Sequence, residues 1–134
     1  MDKIRVFLAD ASEEFLARMR CELVSGGFEV VGVATDGRTA LAGLRGAAVE
    51  VLLADILLPG LDGFALAEAV RDAGIGCAVV FLSAFLSRAT ARRAGEVGAA
   101  DYLLKPCDAA YLLRRLREAA RGAKPRRDCA PEIA

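Results

Sequence analysis

Four side chains in this 134-residue sequence are of types that do chemistry together: Asp10, Asp55, Ser83 and Lys105. Each stands at the end of a short apolar run. Val6-Phe7-Leu8-Ala9 precedes Asp10, Val51-Leu52-Leu53-Ala54 precedes Asp55, Cys77 to Leu82 precedes Ser83, and Tyr102-Leu103-Leu104 precedes Lys105. Carboxylate oxygens bind a hard divalent cation. A hydroxyl and an ammonium stabilise charge on the oxygens of a transferring phosphoryl group. A lysine wedged between Leu104 and Pro106 also needs an anionic partner if it is buried, and Asp55 is the obvious one.

Those residues are scattered along the chain, so only a particular fold unites them. Apolar runs alternate with amphipathic segments five times. The strands are expected at Ile4–Ala9, Phe28–Ala34, Val49–Ala54, Cys77–Leu82 and Tyr102–Leu104. The first helix starts at a Ser12 cap, carries Phe15, Leu16, Met19 and Leu23 at helical spacing, and stops at Gly26-Gly27. Asp36-Gly37 turns into a short helix around Leu41 and Leu44, and a third helix runs from Gly63 to about Ala73 behind an Asp62 cap. The fourth covers about 86 to 95. The fifth follows an Asp108 cap and bears Leu112, Leu113, Leu116, Ala119 and Ala120.

This alternation predicts an α/β fold: a single (βα)5 flavodoxin-like domain with a parallel five-stranded sheet of order 2-1-3-4-5 and helices on both faces. In such sheets ligands bind beyond the carboxyl ends of the strands. All four chemical side chains fall on that edge.

Composition narrows the classes. Hydrophobic residues make up 55% and charged residues 27%, as in a compact domain. With 18 basic and 18 acidic residues the net charge is zero, so nothing global favours nucleic acid. The longest uncharged run, Ala73 to Ser87, is 15 residues, too short to span a bilayer. No export signal is evident, which makes the cytoplasm the expected compartment. Histidine is absent, which removes His-based zinc sites and catalytic triads. Cys21, Cys77, Cys107 and Cys129 show no ligand spacing and are expected to be small packing residues.

Three segments, Leu53 to Gly63 (LADILLPGLDG), Phe81-Leu82-Ser83-Ala84 and Gly98 to Pro106 (GAADYLLKP), in this order and spacing, resemble the CheY-like receiver domains of bacterial response regulators. The resemblance covers residues about 4 to 121. After Gly122 the composition shifts to Lys124-Pro125-Arg126-Arg127 and a polar end, so a receiver domain over 1–122 and a polar, flexible tail over 123–134 are expected.

The resemblance also implies site roles. Asp55 would be the phosphoacceptor, Ser83 the hydroxyl following the phosphoryl group, Lys105 its counter-ion and Tyr102 the aromatic residue that changes rotamer. Asp10, Asp55 and the backbone carbonyl of Leu57 would hold Mg2+. Pro106 would follow a cis peptide bond. The chain departs from the family pattern at Ala11, where receivers carry a second acid. One carboxylate fewer predicts weak magnesium binding and slow or absent phosphoryl transfer. Glu13 and Glu14, inside the first helical turn, are expected to favour the helix dipole instead.

The partners implied are a sensor histidine kinase or phosphotransfer protein and a downstream output protein, the latter met by the face of the fourth helix, fifth strand and fifth helix. A homodimer is a further arrangement. No membrane contact is expected, and Arg121, Lys124, Arg126 and Arg127 are too few to argue for nucleic acid. Arg88, Arg92 and Arg93 are expected on a solvated helix face. The competing reading is a receiver-like interaction module that works without phosphate because of Ala11. A more distant one, an aspartate-nucleophile phosphohydrolase, lacks its second Asp, since Leu57 stands there. No enzyme activity beyond a part in its own phosphorylation is expected.

Overall fold

The computed structural model describes residues 2–122. The predicted tail, with Lys124, Arg126, Arg127 and Cys129, lies outside the described residues. Five strands and five helices alternate: β1 (Arg5–Ala9), α1 (Glu13–Ser25), β2 (Glu29–Ala34), α2 (Gly37–Arg45), β3 (Val51–Ala54), α3 (Gly63–Asp72), β4 (Ala78–Ser83), α4 (Arg88–Glu96), β5 (Asp101–Leu104) and α5 (Ala109–Arg121). The strands are parallel in the order β2-β1-β3-β4-β5, as expected.

Strand chemistry explains the layering. Every residue of β3 and β4 is buried, as continuous apolar runs require when helices cover both faces. Alternate residues face opposite ways. Phe7, Leu52, Val79 and Phe81 share one core with Ala40, Leu44, Leu66 and Val70 of α2 and α3 and with Ala94 of α4. Val6, Leu53, Val80 and Leu82 share the other with Leu16 and Leu23 of α1 and Leu112 and Leu116 of α5. β2, at the sheet edge, is mostly part-exposed.

Each helix starts on a side chain that accepts from a free backbone N–H: Ser12 from Phe15, Asp36 from Thr39, Asp62 from Ala65, Ser87 from Thr90, and Asp108 from Tyr111. Such caps are worth about 1 kcal/mol each. The Ser87 cap, reinforced by Thr90 Oγ1 accepting from Ser87 N at 2.8 Å, starts α4 later than the sequence suggests.

Two glycines matter for the site. A Cβ on Gly63 would lie 2.5 Å from the Asp55 carbonyl oxygen, so α3 can begin against the end of β3 only with glycine there. A Cβ on Gly37 would lie 1.9 Å from the Leu61 carbonyl oxygen, and Gly37 N donates to Pro59 O at 3.1 Å. The loop from Asp55 to Asp62 is thus held from both sides.

Candidate functional site

The strands deliver their last residues to one edge. β1 pairs with β3 so that Ala9 meets Ala54, placing Asp10 beside Asp55. Ala54 pairs with Phe81, and Ser83 pairs with Leu104, which puts Lys105 one step beyond Ser83. Lys105 N donates to Ser83 O at 2.8 Å and fixes that step. The Lys105–Pro106 peptide is cis, as the sequence led us to expect.

Lys105 Nζ lies 2.7 Å from Asp10 Oδ2 and 3.0 Å from Asp55 Oδ2. The sequence pointed to Asp55 as its partner, yet the shorter contact is to Asp10. The other oxygens of the two acids are also engaged. Asp10 Oδ1 accepts from Ser12 N at 2.9 Å, and Asp55 Oδ1 accepts from Leu57 N at 3.2 Å, an Asx-type turn. The Asp10 side chain is 6% exposed, that of Asp55 13% and that of Lys105 19%. Burial pulls the lysine's pKa down, but hydrogen bonds and charge from the two carboxylates outweigh it, and the ammonium is held above its ordinary range.

Ser83 is buried, and its Oγ accepts from Phe85 N at 3.3 Å. Tyr102 is buried as well. Its hydroxyl donates to Phe85 O at 2.5 Å and lies 3.1 Å from Thr90 Oγ1, tying β5 to the start of α4. Burial pushes the Tyr102 phenol above its usual pKa, the bond to Thr90 partly offsets this, and the charge of Asp55 adds to the rise. Its ring stacks edge-on with Phe81, which meets Phe64 in the same way. Leu57 projects into solvent, 68% exposed, and Ala11 is exposed beside Asp10. Glu13 and Glu14 lie in the first turn of α1 and are exposed.

The edge therefore collects Asp10, Asp55, Ser83 and Lys105, with Tyr102 tied to its rim through Phe85. A response regulator receiver domain profile matches residues 6–117. The chain belongs to the response regulator receiver domain family. The regulator NarL of Mycobacterium tuberculosis is 33% identical over 122 residues, covering 90% of this chain and 56% of NarL. CseB of Streptomyces coelicolor, a transcriptional regulatory protein, is 32% identical over 120 residues, covering 90% of this chain and 50% of CseB. The chain spans about half the length of these relatives. Among solved structures, the signal receiver domain of M. tuberculosis NarL superposes with a TM-score of 0.87 at 32% identity, covering 91% of this chain and 99% of that one. Vibrio cholerae CheY4 gives 0.82 at 28% identity, covering 88% and 99%.

Receiver domains are generally signalling domains of two-component systems and not enzymes, and they typically bind Mg2+ in the acidic pocket. This receiver's donor set does not fit that ion well. Two carboxylates face the pocket, all four of their oxygens already have a protein partner, and Ala11 offers no third acid. Among the described residues no group of three or more acidic, cysteine or histidine side chains converges to hold a metal.

Two expectations need correction. Arg93 is not merely solvated: it pairs with Glu68 at 3.1 Å and lies over the Phe64 ring, so it joins α4 to α3, while Arg88 and Arg92 are exposed as expected. Cys77 is a buried packing residue whose thiol is pushed up to about 11 by burial, but Cys21 is exposed on α1. The residue that sequence reading missed at the site is Phe15. Its spacing marked it as a core residue of α1, yet its ring centroid lies 4.1 Å from Lys105 Nζ. No helix among the described residues is long and apolar enough to cross a membrane.

Proposed function

We propose that this receiver accepts a phosphoryl group on Asp55 from the phosphohistidine of a sensor kinase or phosphotransfer protein, in the cytoplasm, and signals through a partner protein. The observation that carries the reading is Lys105, whose ammonium bridges Asp10 and Asp55 at 2.7 and 3.0 Å. A carboxylate oxygen of Asp55 attacks phosphorus, the P–N bond breaks, and its electron pair returns to the imidazole nitrogen. The product is an acyl phosphate on Asp55. Lys105 then offsets the added negative charge, and the Ser83 hydroxyl, one step beyond Asp55 across the sheet, donates to a phosphoryl oxygen. A groove lined by Phe15, Arg18, Met19, Leu82, Pro106 and Cys107 opens beside Lys105.

Moving Ser83 draws on the Phe85 backbone it holds, and Tyr102 is bonded to the same residue, so the two report together to α4. Phe85, Leu104 and Tyr111, exposed by 54%, 47% and 38%, form the apolar part of the α4–β5–α5 face offered to the output partner or to a second copy. Magnesium affinity is weak in this reading, because among the described residues only Asp10 and Asp55 offer it carboxylates.

A second reading has its own observation. With every carboxylate oxygen satisfied and Ala11 in place of an acid, the pocket is complete as it stands, which suits a module that binds partners without phosphate. Incubation with magnesium and acetyl phosphate, followed by intact mass, separates the two. One added phosphoryl group, absent in Asp55→Asn, supports the acceptor. No addition to the wild type but addition to Ala11→Asp supports the phosphate-free module. No addition to either protein sinks the acceptor reading altogether.

A further inference from the structure

Phe15 occupies a place that a simple core residue of α1 does not need. It is half-buried, it packs with the α1–α5 core, and its ring lies under an ammonium already shared by two acids. The backbone makes this placement depend on Asp10. Ser12 N donates to Asp10 Oδ1, and Ser12 Oγ accepts from Phe15 N at 3.1 Å. The turn that presents the first acid therefore also sets the first turn of α1 and aims Phe15.

An ammonium has three N–H donors. Asp10 and Asp55 take contacts on two sides of Lys105 Nζ, and the negative face of an aromatic ring attracts a cation on another. We infer that Phe15 is the positioning residue for Lys105, its ring holding the ammonium between Asp10 and Asp55 so that the lysine, not a divalent ion, is the resident cation of this two-acid pocket. The inference deepens the acceptor reading, because the same ammonium is the counter-ion there. It concerns the unmodified protein, however, and stands whether or not Asp55 is phosphorylated.

Mg2+ would draw on the same Asp10 and Asp55 carboxylates that Lys105 already engages. A ring that favours the ammonium disfavours its displacement by Mg2+, and removing the ring while keeping apolar volume should relax that competition. Phe15→Leu does so; Phe15→Tyr keeps the aromatic face. Lys105→Met removes the competitor outright.

Two measurements on the 134-residue chain test this, neither using a phosphoryl donor. The first is NMR of the Lys105 side chain, assigned by comparison with Lys105→Met. Over a ring face its ε-methylene protons shift upfield in the wild type and in Phe15→Tyr, and return to ordinary lysine positions in Phe15→Leu. The second is a MgCl2 titration read from the backbone amides of Asp10, Ala11 and Asp55. Apparent affinity rises roughly 2- to 10-fold in Phe15→Leu, at least as much in Lys105→Met, and stays at the wild-type value in Phe15→Tyr. Ordinary Lys105 shifts in the wild type overturn the inference, as does a wild-type magnesium affinity in Phe15→Leu. If Phe15→Leu fails to fold, the wild-type shifts and the Lys105→Met titration decide. Failure of Asp55 to take a phosphoryl group in the separate acetyl phosphate experiment would leave both readouts untouched.

Discussion

β5 is flanked by two carboxylate–cation pairs of opposite design. At its start, Arg115 grips Asp101 with two parallel contacts, Nε to Oδ2 at 2.6 Å and Nη2 to Oδ1 at 2.7 Å. Asp101 Oδ1 also accepts from Tyr102 N, and the guanidinium donates to the Tyr111 hydroxyl. Just past its end, Lys105 divides one ammonium between Asp10 and Asp55. The guanidinium fork matches one carboxylate in shape and leaves it nothing further to seek. The lysine is a point charge facing two acids, and the cluster keeps an excess of negative charge that a new cation or donor could exploit. One pair fastens β5 to α5; the other is placed to change partners.

Lys105→Ala should break this contrast hardest. It orphans two largely buried carboxylates and is expected to cost about 3 kcal/mol in urea unfolding with EDTA present, along with phosphoryl uptake from acetyl phosphate. Arg115→Ala orphans one, and since Arg115 is 30% exposed the expected loss is about 2 kcal/mol, with phosphoryl uptake unchanged. Arg115→Lys should recover only part of that, because a lysine cannot reproduce the fork. Equal phosphoryl uptake in Lys105→Ala and wild type would erase the functional half of the contrast.

Tyr102→Phe removes the bonds to Phe85 O and Thr90 Oγ1 while keeping the ring stack on Phe81. About 1 kcal/mol of stability should go, and amide exchange at the start of α4 should quicken more than at α5. The smallest effect is alkaline. Lys105 is raised above its ordinary 10.5, so its contribution is complete below that value and is lost as pH climbs through the folded value. Arg115 is raised as well and stays charged throughout that window. In a Cys77→Ala background, which removes a thiol pushed up to about 11, urea midpoints should fall further above pH 10.5 in the parent than in Lys105→Met, where the raised Tyr102 and Cys107 still titrate.

The sequence carried the larger part of this picture, for reasons that differ by residue. Strand existence was legible because apolar runs such as VLLA and CAVVFL are bounded by Gly, Asp and Ser, and the caps at Ser12, Asp62 and Asp108 are short-range signals. Convergence of Asp10, Asp55, Ser83 and Lys105 followed from parallel topology alone. Less legible were contacts set by side-chain direction. Phe15 reads as one more apolar residue at helical spacing, and nothing local says that its ring meets a lysine 90 residues away. Arg93 reads as a surface charge until α3 brings Glu68 and Phe64 to it. Asp101 reads as a loop acid, but it is buried at the start of β5 because Arg115, the seventh residue of α5, meets it.

The contact between Lys105 and Asp10 joins positions 95 residues apart, and the one to Asp55 joins positions 50 apart. A polypeptide emerging N-terminus first carries both acids long before the lysine exists, and it gains the lysine only on the outermost strand, laid down last. Until β5 docks, a nascent chain holds two like charges side by side with no ammonium between them. The cluster is thereby a marker that β5 has docked: no fragment ending before position 105 can assemble it.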